Sequence, residues 1–573
     1  MSADLLPSPD LIDFQLFDWL RVDDREMLTA VFDTARRLAV DAFLPHFRKA
    51  DVTEPWIEGG EVHVLPEVGA ALGRYAELGL FGASFAEDLG GLGLPFTAAL
   101  TIYASFAAAN ASTAGYTLLT IANARLISTF GTAEQIERFA IPQIAGRWLG
   151  TMCLSEPQAG SSLGDIRTRA VREGADALGE RYRLTGNKMW ISCGDHDVGG
   201  NIVHLVLAKI ALADGTLPPG TAGISLFIVP KRLADGSRND ITVAGLNHKL
   251  GYRGVSNCLL NFGERDGAIG WRVGEAGQGL AQMFTMMNEA RISVGMGAAA
   301  IAYRGYRHAL RYARERRQGR AIGVKGGEPV AIIDHPDVRR MLVQQKSYAE
   351  GAIALCLYCA RLVDEGGTEA EALLALLTPV VKSWPSEFGA IANDLAVQVH
   401  GGYGYTRDFD VEQLWRDNRL NQIHEGTTGI QAIDLLGRKI LLGDGSAMEL
   451  LRARIGETAR RAEQMDGFAD SAAPLLDFWR AVDGTIDRLD RRSPQVFDDA
   501  TLFLRAFGHG VVAWLWLDQA MAGATTGSTG LRDGLAQTCR FFFEAELPQA
   551  TAWLSIVARC STLVRSFPDA AFA

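Results

Sequence analysis

The fold is decided by six short apolar runs that lie between residues 150 and 262. They read GTMCLSEP (150–157), RYRLTGNKMWIS (181–192), NIVHLVLAKI (201–210), GISLFIVP (223–230), ITVAGL (241–246) and VSNCLLNF (255–262). Runs of this length, rich in β-branched and aromatic residues and bounded by turn residues, are typical of β-strands. Six of them at this spacing predict a small antiparallel β-barrel or sandwich.

Helical periodicity flanks this β region on both sides. Upstream, residues 23–51 and 96–119 carry apolar side chains at helical spacing, and no strand pattern is expected before Trp148. Downstream, residues 283–317 and 334–364 form two long helical patterns, and further helices follow. Strands and helices do not alternate, which argues against a Rossmann fold.

This order predicts an α+β protein with four domains, and 573 residues is a length that fits about four. We expect an N-terminal helical domain (1–147), a middle antiparallel β-barrel or sandwich domain (148–264), a helical-bundle domain (265–445) and an extra C-terminal helical domain (446–573). Within the last domain, AGATTGSTGLRDG (522–534) is expected to be a flexible loop.

Composition excludes several classes of protein. Hydrophobic residues make up 48% of the chain and charged residues 21%, so disorder along the whole chain is excluded. No apolar run reaches the ~18 residues of a membrane span, and the N-terminal residues lack the basic start and apolar stretch of a secretory signal. We therefore expect a cytoplasmic protein with no membrane span.

Charge and cysteine content indicate which partners are unfavourable and in which redox state the thiols are expected. The net charge is −11, from 67 acidic and 56 basic residues, which makes nucleic acid a poor partner. The seven cysteines are scattered, which indicates reduced thiols. Cys356 and Cys359 form a C-x-x-C pair inside a helical pattern without a second pair. We interpret them as buried structural thiols and expect no metal site.

A segment rich in small and hydroxyl residues follows the first predicted strand. Met152–Ser162 reads MCLSEPQAGSS. Gly160 allows a ligand to approach the backbone closely, while the backbone N–H groups and the hydroxyls of Ser155, Ser161 and Ser162 can bind an anion or a heterocycle. The alternative is a plain polar turn between strands.

Two further segments carry groups that bind cofactors. Trp190 in KMWISC (188–193) can stack on a planar cofactor, although such a Trp is also common in a core. The basic run ARERRQGR (313–320) can bind phosphate, since Arg matches two phosphate oxygens. Its alternative is a solvated helix end whose cations favour the negative end of the helix dipole.

The most distinctive region is AVQVHGGYGYTRDFDVEQLWRDNRLNQIHEGTTGIQAIDLLGR (396–438). A helix ends at Gly401–Gly402, with Gln398 in its last turn and bare backbone beyond it. Glu425 precedes Gly426 and a helix that Thr427 or Thr428 can cap. A carboxylate on this bend can face a cavity, or it can be a plain acid that complements the helix dipole.

Together these segments resemble the acyl-CoA dehydrogenase family of flavoproteins. Two segments resemble the family's signatures, LSEPQAGSS (154–162) and the stretch of residues 398–431. LNHKLGYRGVSNCLLNF (246–262) resembles the end of its β domain, and YARERRQGR (312–320) the basic end of a bundle helix. The resemblance covers about residues 30–445. The tail resembles the extended branch, which includes methylthiopropionyl-CoA and broad-range bacterial fatty acyl-CoA dehydrogenases.

The resemblance implies an FAD-dependent oxidoreductase of fatty acid metabolism. It would oxidise the Cα–Cβ bond of an acyl-CoA thioester to the trans-2-enoyl product, with Glu425 as the base and flavin N5 as the hydride acceptor. Electrons would pass to an electron-transfer flavoprotein, and the protein would be a homodimer. The alternatives are an acyl-CoA oxidase that uses oxygen and a flavin-bound binding or stress protein without turnover.

The same resemblance assigns binding roles to individual residues. The expected flavin-cradling residues are Met152, Leu154, Ser155, Gly160, Ser161, Trp190 and Ser192. Further cofactor contacts, usually made to a neighbouring subunit's FAD, are expected from Arg316, Gln398, Gly401 and Gly402, with Thr427 as an additional contact. The expected substrate-binding residues are Ser161, Asn288, Arg291 and Gly426.

Three departures from the family pattern are visible. The tail beyond Gly443 lies outside the common core, so the resemblance assigns no site residue there. Gln318 and Gly319 follow Arg316, where many relatives have an aromatic residue that contacts adenine. Asn288 stands where relatives often have Asp. These are the positions at which the resemblance is least complete.

Overall fold

The computed structural model describes residues 3–526 and 528–573. These residues form two compact units. The first unit contains Asp33–Ala290, and the second contains Asp4–Phe32 with Arg291–Ala573. Two helices, Arg25–Leu38 and Gly279–Glu315, contribute residues to both units.

The described residues form α-helices and β-strands in the following order along the chain. The α-helices are α1 (Pro9–Asp13), α2 (Arg25–Leu38), α3 (Phe47–Val52), α4 (Pro66–Glu77), α5 (Phe96–Phe130), α6 (Ala133–Gln135), α7 (Ile141–Ile144), α8 (Gly279–Glu315), α9 (Pro336–Glu365), α10 (Gly367–His400), α11 (Val411–Asn418), α12 (Thr428–Ile433), α13 (Ser446–Glu463), α14 (Ala469–Arg488), α15 (Ala500–Thr525), α16 (Thr529–Phe541), α17 (Leu547–Val557) and α18 (Leu563–Ser566). The strands are β1 (Trp56–Glu58), β2 (Glu61–His63), β3 (Leu149–Cys153), β4 (Arg169–Asp176), β5 (Gly179–Ser192), β6 (Ile202–Ile210), β7 (Ile224–Pro230), β8 (Ile241–Leu246), β9 (Asn257–Phe262) and β10 (Ala268–Val273).

Shorter helical turns connect or extend these elements. The π-helical turns are Phe14–Trp19, Ala39–Phe43, Ile136–Ala140, Asp434–Leu441 and Phe542–Glu546. The 3₁₀ turns are Ala3–Leu5, Leu44–His46, Leu80–Gly82, Glu87–Leu89, Leu163–Asp165, Ile332–Asp334, Gly401–Tyr405, Arg419–Gln422, Pro494–Phe497 and Asp569–Phe572.

The first unit is built on an eight-stranded sheet that closes on itself. Strands β10, β7, β6, β4 and β5 follow one another, and β10 also pairs with β5, which closes a ring. Strands β9 and β8 extend from β5, and β3 joins β6. The β3–β6 and β4–β6 pairs are parallel, whereas all other pairs of this sheet among the described residues are antiparallel. The predicted barrel is confirmed, but its sheet is mixed, not purely antiparallel.

Strand β6 is buried almost throughout because it separates two cores. Leu205 and Leu207 pack with the helical residues Ala124 and Ile127 of α5. The intervening residues, such as Val206, face the other core with Leu184, Phe227 and Leu260. Burial on both faces explains why NIVHLVLAKI reads as a continuous apolar run. Each large aliphatic side chain buried here stabilises the fold by about 1.5–3 kcal/mol.

Four strands are not visible in the sequence pattern. The expectation of no strand before Trp148 was wrong, because β1 and β2 form a hairpin. Strand β1 is exposed along its whole length, and β4 has few buried positions, so neither shows apolar alternation. Strand β10 follows the predicted domain boundary at 264. It contains Gly270, where a Cβ atom would lie 2.8 Å from a methyl group of Val229.

The named elements of the second unit are all helices or helical turns among its described residues, as expected for the bundle and the tail. Helix α10 carries Pro379 and Pro385 inside its length and ends at His400, where Gly401 adopts φ +59°. This confirms the predicted terminator. Cys356 and Cys359 are free and buried in α9, as predicted.

Helix α15 is the core helix of the C-terminal segment. It packs against α9, α10, α12 and α17. The Trp384 indole Nε1 on α10 donates to Nδ1 of His509 on α15 at 3.0 Å. The indole also lies so close to Gly508 that a Cβ atom there would be 2.7 Å from it.

Two expectations about this segment need correction. Helix α15 is long and apolar enough to cross a membrane, contrary to the expectation that no stretch is, and 83% of its most apolar window is buried in the fold. The stretch 522–534 is mostly helical and not a flexible loop, since α15 continues to Thr525 and α16 begins at Thr529. Gly523 permits close packing there, because a Cβ atom would lie 2.6 Å from Leu535. Residue 527 of this stretch lies outside the described residues.

Candidate active site

Glu425 lies on a sharp turn that immediately precedes α12 in the second unit. Its backbone has φ +52°, a left-handed conformation that is uncommon for a residue with a side chain. Gly426 follows with φ +88°, and a Cβ atom at that position would lie 2.6 Å from Nε2 of Gln431. The turn therefore requires glycine at 426 and holds Glu425 in a strained conformation.

Hydrogen bonds from two buried side chains hold the turn. Nε2 of Gln431, on α12, donates to the Glu425 carbonyl oxygen at 3.0 Å. Nζ of Lys382, on α10, donates to the Gly426 carbonyl oxygen at 2.6 Å. Thr427 caps α12, because its hydroxyl accepts from the Ile430 N–H at 3.4 Å. The turn is thus fixed from both sides, and Thr427, not Thr428, is the cap.

The carboxylate that this turn presents is available for chemistry. Glu425 is half-buried, and its carboxylate and its backbone N–H make no hydrogen bond with the residues that the structure describes. Burial raises the pKa of its carboxyl, while the nearby positive charges of Lys382 and Arg291 oppose that rise. A carboxylate with a raised pKa and a free N–H beside it can abstract a proton and stabilise an oxyanion.

A series of side-chain amides links the turn to α10. His424 Nε2 lies 3.0 Å from Oδ1 of Asn421, and Nδ2 of Asn421 donates to Oδ1 of Asn418 at 2.9 Å. Nδ2 of Asn418 donates in turn to Oδ1 of Asn393 on α10 at 2.7 Å. Burial lowers the pKa of His424 to about 3. His424 is therefore neutral at ordinary pH and contributes no charge beside Glu425.

Arg291 is buried in an ion pair close to this turn. Its Nη1 donates to Oδ2 of Asp434 at 3.1 Å, and Nε of Arg438 contacts the same carboxylate at 2.9 Å. The Arg291 Nε is buried and has no partner among the described residues. Asn288, which precedes Arg291 by three residues on α8, is half-buried.

The first unit holds the residues predicted to cradle a flavin. Lys188, buried in β5, donates its Nζ to the Leu154 carbonyl at 2.9 Å and pairs with Glu156 at 3.0 Å. The Met189 N–H donates to the Ser155 carbonyl at 3.0 Å. These bonds place residues 154–156, which follow β3, next to the end of β5.

Trp190 is exposed and not part of the core. Its side chain is 58% exposed, and its backbone has φ +64°, at a register shift between Lys188 and Ile191. Two residues further on, the Ser192 hydroxyl accepts from Nδ2 of Asn257 at 3.1 Å. The irregular end of β5 thus turns a flat indole outward beside the 152–156 segment.

Free polar groups accompany this indole. The hydroxyls of Ser155 and Ser161 make no hydrogen bond in the part of the chain that the structure describes, and Ser161 is exposed. A Cβ atom at Gly160 would find nothing within 4 Å. An exposed aromatic plane beside unused hydroxyls and an open glycine fits a planar heterocycle with hydrogen-bonding edges, such as an isoalloxazine.

The remaining predicted cofactor-binding residues form a third group at the ends of α8 and α10 in the second unit. The rings of Tyr312 and His400 stack with centroids 4.4 Å apart, which brings these two helix ends together. Arg316 and Gln398 are exposed there, as are the glycines at 401 and 402, and a Cβ atom at either glycine would meet nothing within 4 Å. A cation beside open backbone fits a diphosphate.

The structure therefore collects the predicted residues, apart from Asn288, into three groups. One contains Glu425, Gly426, Thr427 and Arg291. The second contains the flavin-cradling residues of the first unit. The third contains Arg316, Gln398, Gly401 and Gly402. Lys382, Gln431 and Lys188 were not predicted. A lysine inside the apolar run VVKSW is a signal that could have revealed Lys382, because lysine is rarely buried without a partner.

Comparison with known proteins agrees with this arrangement. Four family models match in order. They are the N-terminal (25–147), middle (151–264) and C-terminal (277–441) domains of acyl-CoA dehydrogenase, and the "Acetyl-CoA dehydrogenase C-terminal like" domain (451–568). The matched ranges together span most of the chain.

Curated relatives match over nearly the full length. The 3-methylmercaptopropionyl-CoA dehydrogenase of Ruegeria pomeroyi is 37% identical over 524 residues, covering 88% of this chain and 87% of the relative. The broad-specificity linear acyl-CoA dehydrogenase FadE5 of Mycobacterium tuberculosis is 32% identical over 621 residues, covering 98% of each chain.

Solved structures share the fold. The Caenorhabditis elegans ACDH-11 complex with C11-CoA superimposes with a TM-score of 0.80 at 19% identity, covering 99% of this chain and 96% of the other. The Bacillus anthracis acyl-CoA dehydrogenase complexed with FAD gives a TM-score of 0.74 at 20% identity, covering 99% and 92%.

The chain belongs to the acyl-CoA dehydrogenase family. It is an FAD-dependent oxidoreductase that acts on acyl-CoA, and its C-terminal helices place it among the members with an extra domain.

Proposed function

We propose that this enzyme oxidises the Cα–Cβ bond of an acyl-CoA thioester to the trans-2-enoyl-CoA, with Glu425 as the base that removes the α-proton. The observation that carries this proposal is the Glu425 carboxylate, which is half-buried and unbonded on a turn locked by Gln431 and Lys382. A carboxylate needed only as a helix cap would bond the helix N–H groups, and here Thr427 does so.

The physical demands of the reaction match these groups. The α-proton of a thioester is too weakly acidic for an ordinary carboxylate to remove. A raised pKa brings the Glu425 carboxyl closer to the acidity of that proton. The unused Glu425 N–H can donate to the thioester oxygen as negative charge develops there. When bound, FAD accepts the hydride that leaves Cβ at its N5 atom.

The binding roles follow the three groups of residues. We propose that the isoalloxazine is held by Met152, Leu154, Ser155, Gly160, Ser161, Trp190 and Ser192, with Thr427 as a further cofactor contact. Arg316, Gln398, Gly401 and Gly402 would hold the diphosphate and adenosine portion. Ser161, Asn288, Arg291 and Gly426 would contact the substrate.

The test is replacement of Glu425 by Gln, which keeps the shape and removes the base. We expect Glu425→Gln to retain FAD and to lose turnover by about 10³-fold or more. Glu449→Gln, which changes an exposed glutamate on α13, is the matched control and is expected to behave as wild type. Near-normal turnover of Glu425→Gln would refute the proposal.

The substrate range is tested by anaerobic titration of the holoenzyme with a panel of acyl-CoA thioesters. The panel should include the 3-methylmercaptopropionyl and linear acyl thioesters named for the two curated relatives. A true substrate bleaches the oxidised-flavin absorption band. A flavin-bound protein without turnover would keep its oxidised spectrum with every thioester.

The electron acceptor and the assembly are also part of the proposal. We propose electron transfer to an electron-transfer flavoprotein, and peroxide formed in step with turnover in air would instead indicate an oxidase. We propose a cytoplasmic homodimer, because Arg316 and Gln398 match positions that usually serve a neighbouring subunit's cofactor. A light-scattering mass equal to one chain would contradict the dimer.

A further inference from the structure

Lys382 is a lysine without solvent exposure in the middle of α10. Burial of an ammonium group is costly unless hydrogen bonds or an opposite charge compensate for it. Its Nζ donates to the Gly426 carbonyl at 2.6 Å, and it forms no ion pair with any residue the structure describes. The fold therefore keeps a costly cation at the turn that carries Glu425.

A neutral donor would suffice to hold the Gly426 carbonyl. Gln431 does this for the neighbouring Glu425 carbonyl with a side-chain amide. An ammonium group adds a positive charge, and that charge acts on the Glu425 carboxylate. The choice of lysine at 382 is therefore explained by its charge as well as by its hydrogen bond.

Two cations act on the Glu425 carboxylate, Lys382 more strongly than Arg291. Arg291, on α8, is paired with Asp434, which also binds Arg438, whereas Lys382 has no ion-pair partner among the described residues. Glu387, on α10, has only a minor electrostatic effect on Lys382, and it is paired with Arg505 of α15 at 3.0 Å.

We propose that Lys382 is a positioning residue of the active site, whose ammonium group fixes the Glu425–Gly426 turn and keeps a positive charge beside the catalytic carboxylate. This inference rests on the proposed role of Glu425. Lys382 binds the backbone of the turn at the Gly426 carbonyl and not the Glu425 carboxylate. Its function is to keep Glu425 in the ionised form and in the correct place.

The proposal has a definite consequence for the pH dependence. Proton abstraction needs ionised Glu425, so kcat/KM rises as pH rises through the pKa of that group. A nearby positive charge lowers the pKa of a carboxyl, and its removal raises that pKa. Burial lowers the pKa of Lys382 to about 7, so the lysine is charged on the acidic side of neutrality, where it is needed.

Three substitutions separate charge from hydrogen bonding. Lys382→Met removes both, Lys382→Gln keeps a donor for the Gly426 carbonyl without charge, and Lys382→Arg keeps the charge. The matched control is Lys346→Met, which removes a lysine that pairs with Glu350 on α9. Each holoenzyme is assayed for flavin content and for kcat/KM with one acyl-CoA substrate across the acidic and neutral range.

We expect the acidic limb of the kcat/KM profile to move to higher pH by about one unit in both Lys382→Met and Lys382→Gln. Lys382→Arg and Lys346→Met should keep the wild-type limb. If Lys382→Met does not retain flavin, the Lys382→Gln and Lys382→Arg variants still show whether loss of the charge moves the acidic limb.

Two results would overturn the inference. An unchanged limb in Lys382→Gln, at normal flavin content, would show that the charge does not act on the base. An equal shift in Lys382→Arg would show that only local geometry had changed. Glu425→Gln is assayed in parallel. Turnover by that variant would refute the proposed function itself, whereas its inactivity together with unshifted Lys382 variants would refute the lysine's role alone.

Discussion

The side-chain amide of Gln431 donates to the carbonyl oxygen of Glu425 at 3.0 Å, across six residues of the chain. This bond passes directly beside Gly426, where a Cβ atom would lie 2.6 Å from the same amide nitrogen. The geometry of the Glu425–Gly426 turn therefore depends on the absence of a side chain at 426.

Gly426→Ala tests this dependence. The φ of +88° strains any L-residue, and the added methyl group would displace Gln431. A displacement of about 1 Å at a catalytic group can lower the rate by about 10²-fold. We expect a loss of that size in kcat, with FAD still bound.

The control for this prediction is a glycine without such constraints. Gly456, on α13, has open space around a Cβ position and is not at positive φ. Gly456→Ala should leave kcat unchanged and stabilise the fold by about 0.5–1 kcal/mol. Full activity of Gly426→Ala would show that the turn tolerates the side chain.

Trp190→Ala tests the flavin cradle. Because the indole is 58% exposed, its removal should change the unfolding free energy of the apoprotein little. It should weaken FAD retention, since a stacked aromatic contributes about 0.5–1.5 kcal/mol beyond its buried area. Equilibrium dialysis of FAD measures the affinity, and Trp190→Phe should restore most of it. An Ala variant that retains FAD as tightly as wild type would argue against stacking.

The buried pair of Arg291 and Asp434 gives a prediction about stability. Removing one partner leaves an uncompensated buried charge, so Asp434→Leu should lower the unfolding free energy by about 3–5 kcal/mol. The double variant Arg291→Met with Asp434→Leu should recover most of that loss in denaturant titration. If Arg291 also contacts the substrate, the recovered double variant will still show a raised KM for acyl-CoA. A single Asp434→Leu variant as stable as wild type would contradict the prediction.

Acid sensitivity should arise partly from two histidines of the first unit. Burial lowers the pKa of His196 and of His204 to about 3, whereas an unfolded histidine titrates near 6.5. The unfolded state therefore binds more protons below about pH 6.5, and stability falls with pH down to about pH 3. At about pH 5 each histidine should cost about 2 kcal/mol.

A His204→Gln variant checks this prediction through its unfolding free energy at neutral and acidic pH. The variant should lose less stability on acidification than wild type, by about 2 kcal/mol at about pH 5. His248→Gln, at a side chain that is 88% exposed, should follow the wild-type curve. Parallel curves for His204→Gln and wild type would exclude a contribution from His204.

The sequence predicts those features that depend on neighbouring residues. The end of α10 at Gly401 and a threonine cap at 427 or 428 depend on local backbone chemistry. Both are confirmed, with Thr427 as the cap. The continuous apolar run of β6 likewise reveals a strand buried on both faces. Each of these patterns lies within about ten consecutive residues, so it can be recognised in the sequence before the fold is known.

Features that depend on distant contacts are not visible in this way. Lys382 and Gly426 are 44 residues apart, and no local pattern shows that they meet. The outward direction of Trp190 depends on a register shift between β5 and β9, so the sequence leaves core packing open as an alternative. Strand β1 pairs without burying a face and therefore has no apolar signal.

The position of α15 has a consequence for biosynthesis. Helices α9 and α10 leave the ribosome about a hundred residues before α15, the helix that packs against them. Because synthesis proceeds at about 5–20 residues per second, the apolar surfaces of α9 and α10 stay uncovered for roughly 5–20 seconds before α15 is made. The nascent chain is therefore prone to aggregation until its last quarter, which contains α15, has been synthesised.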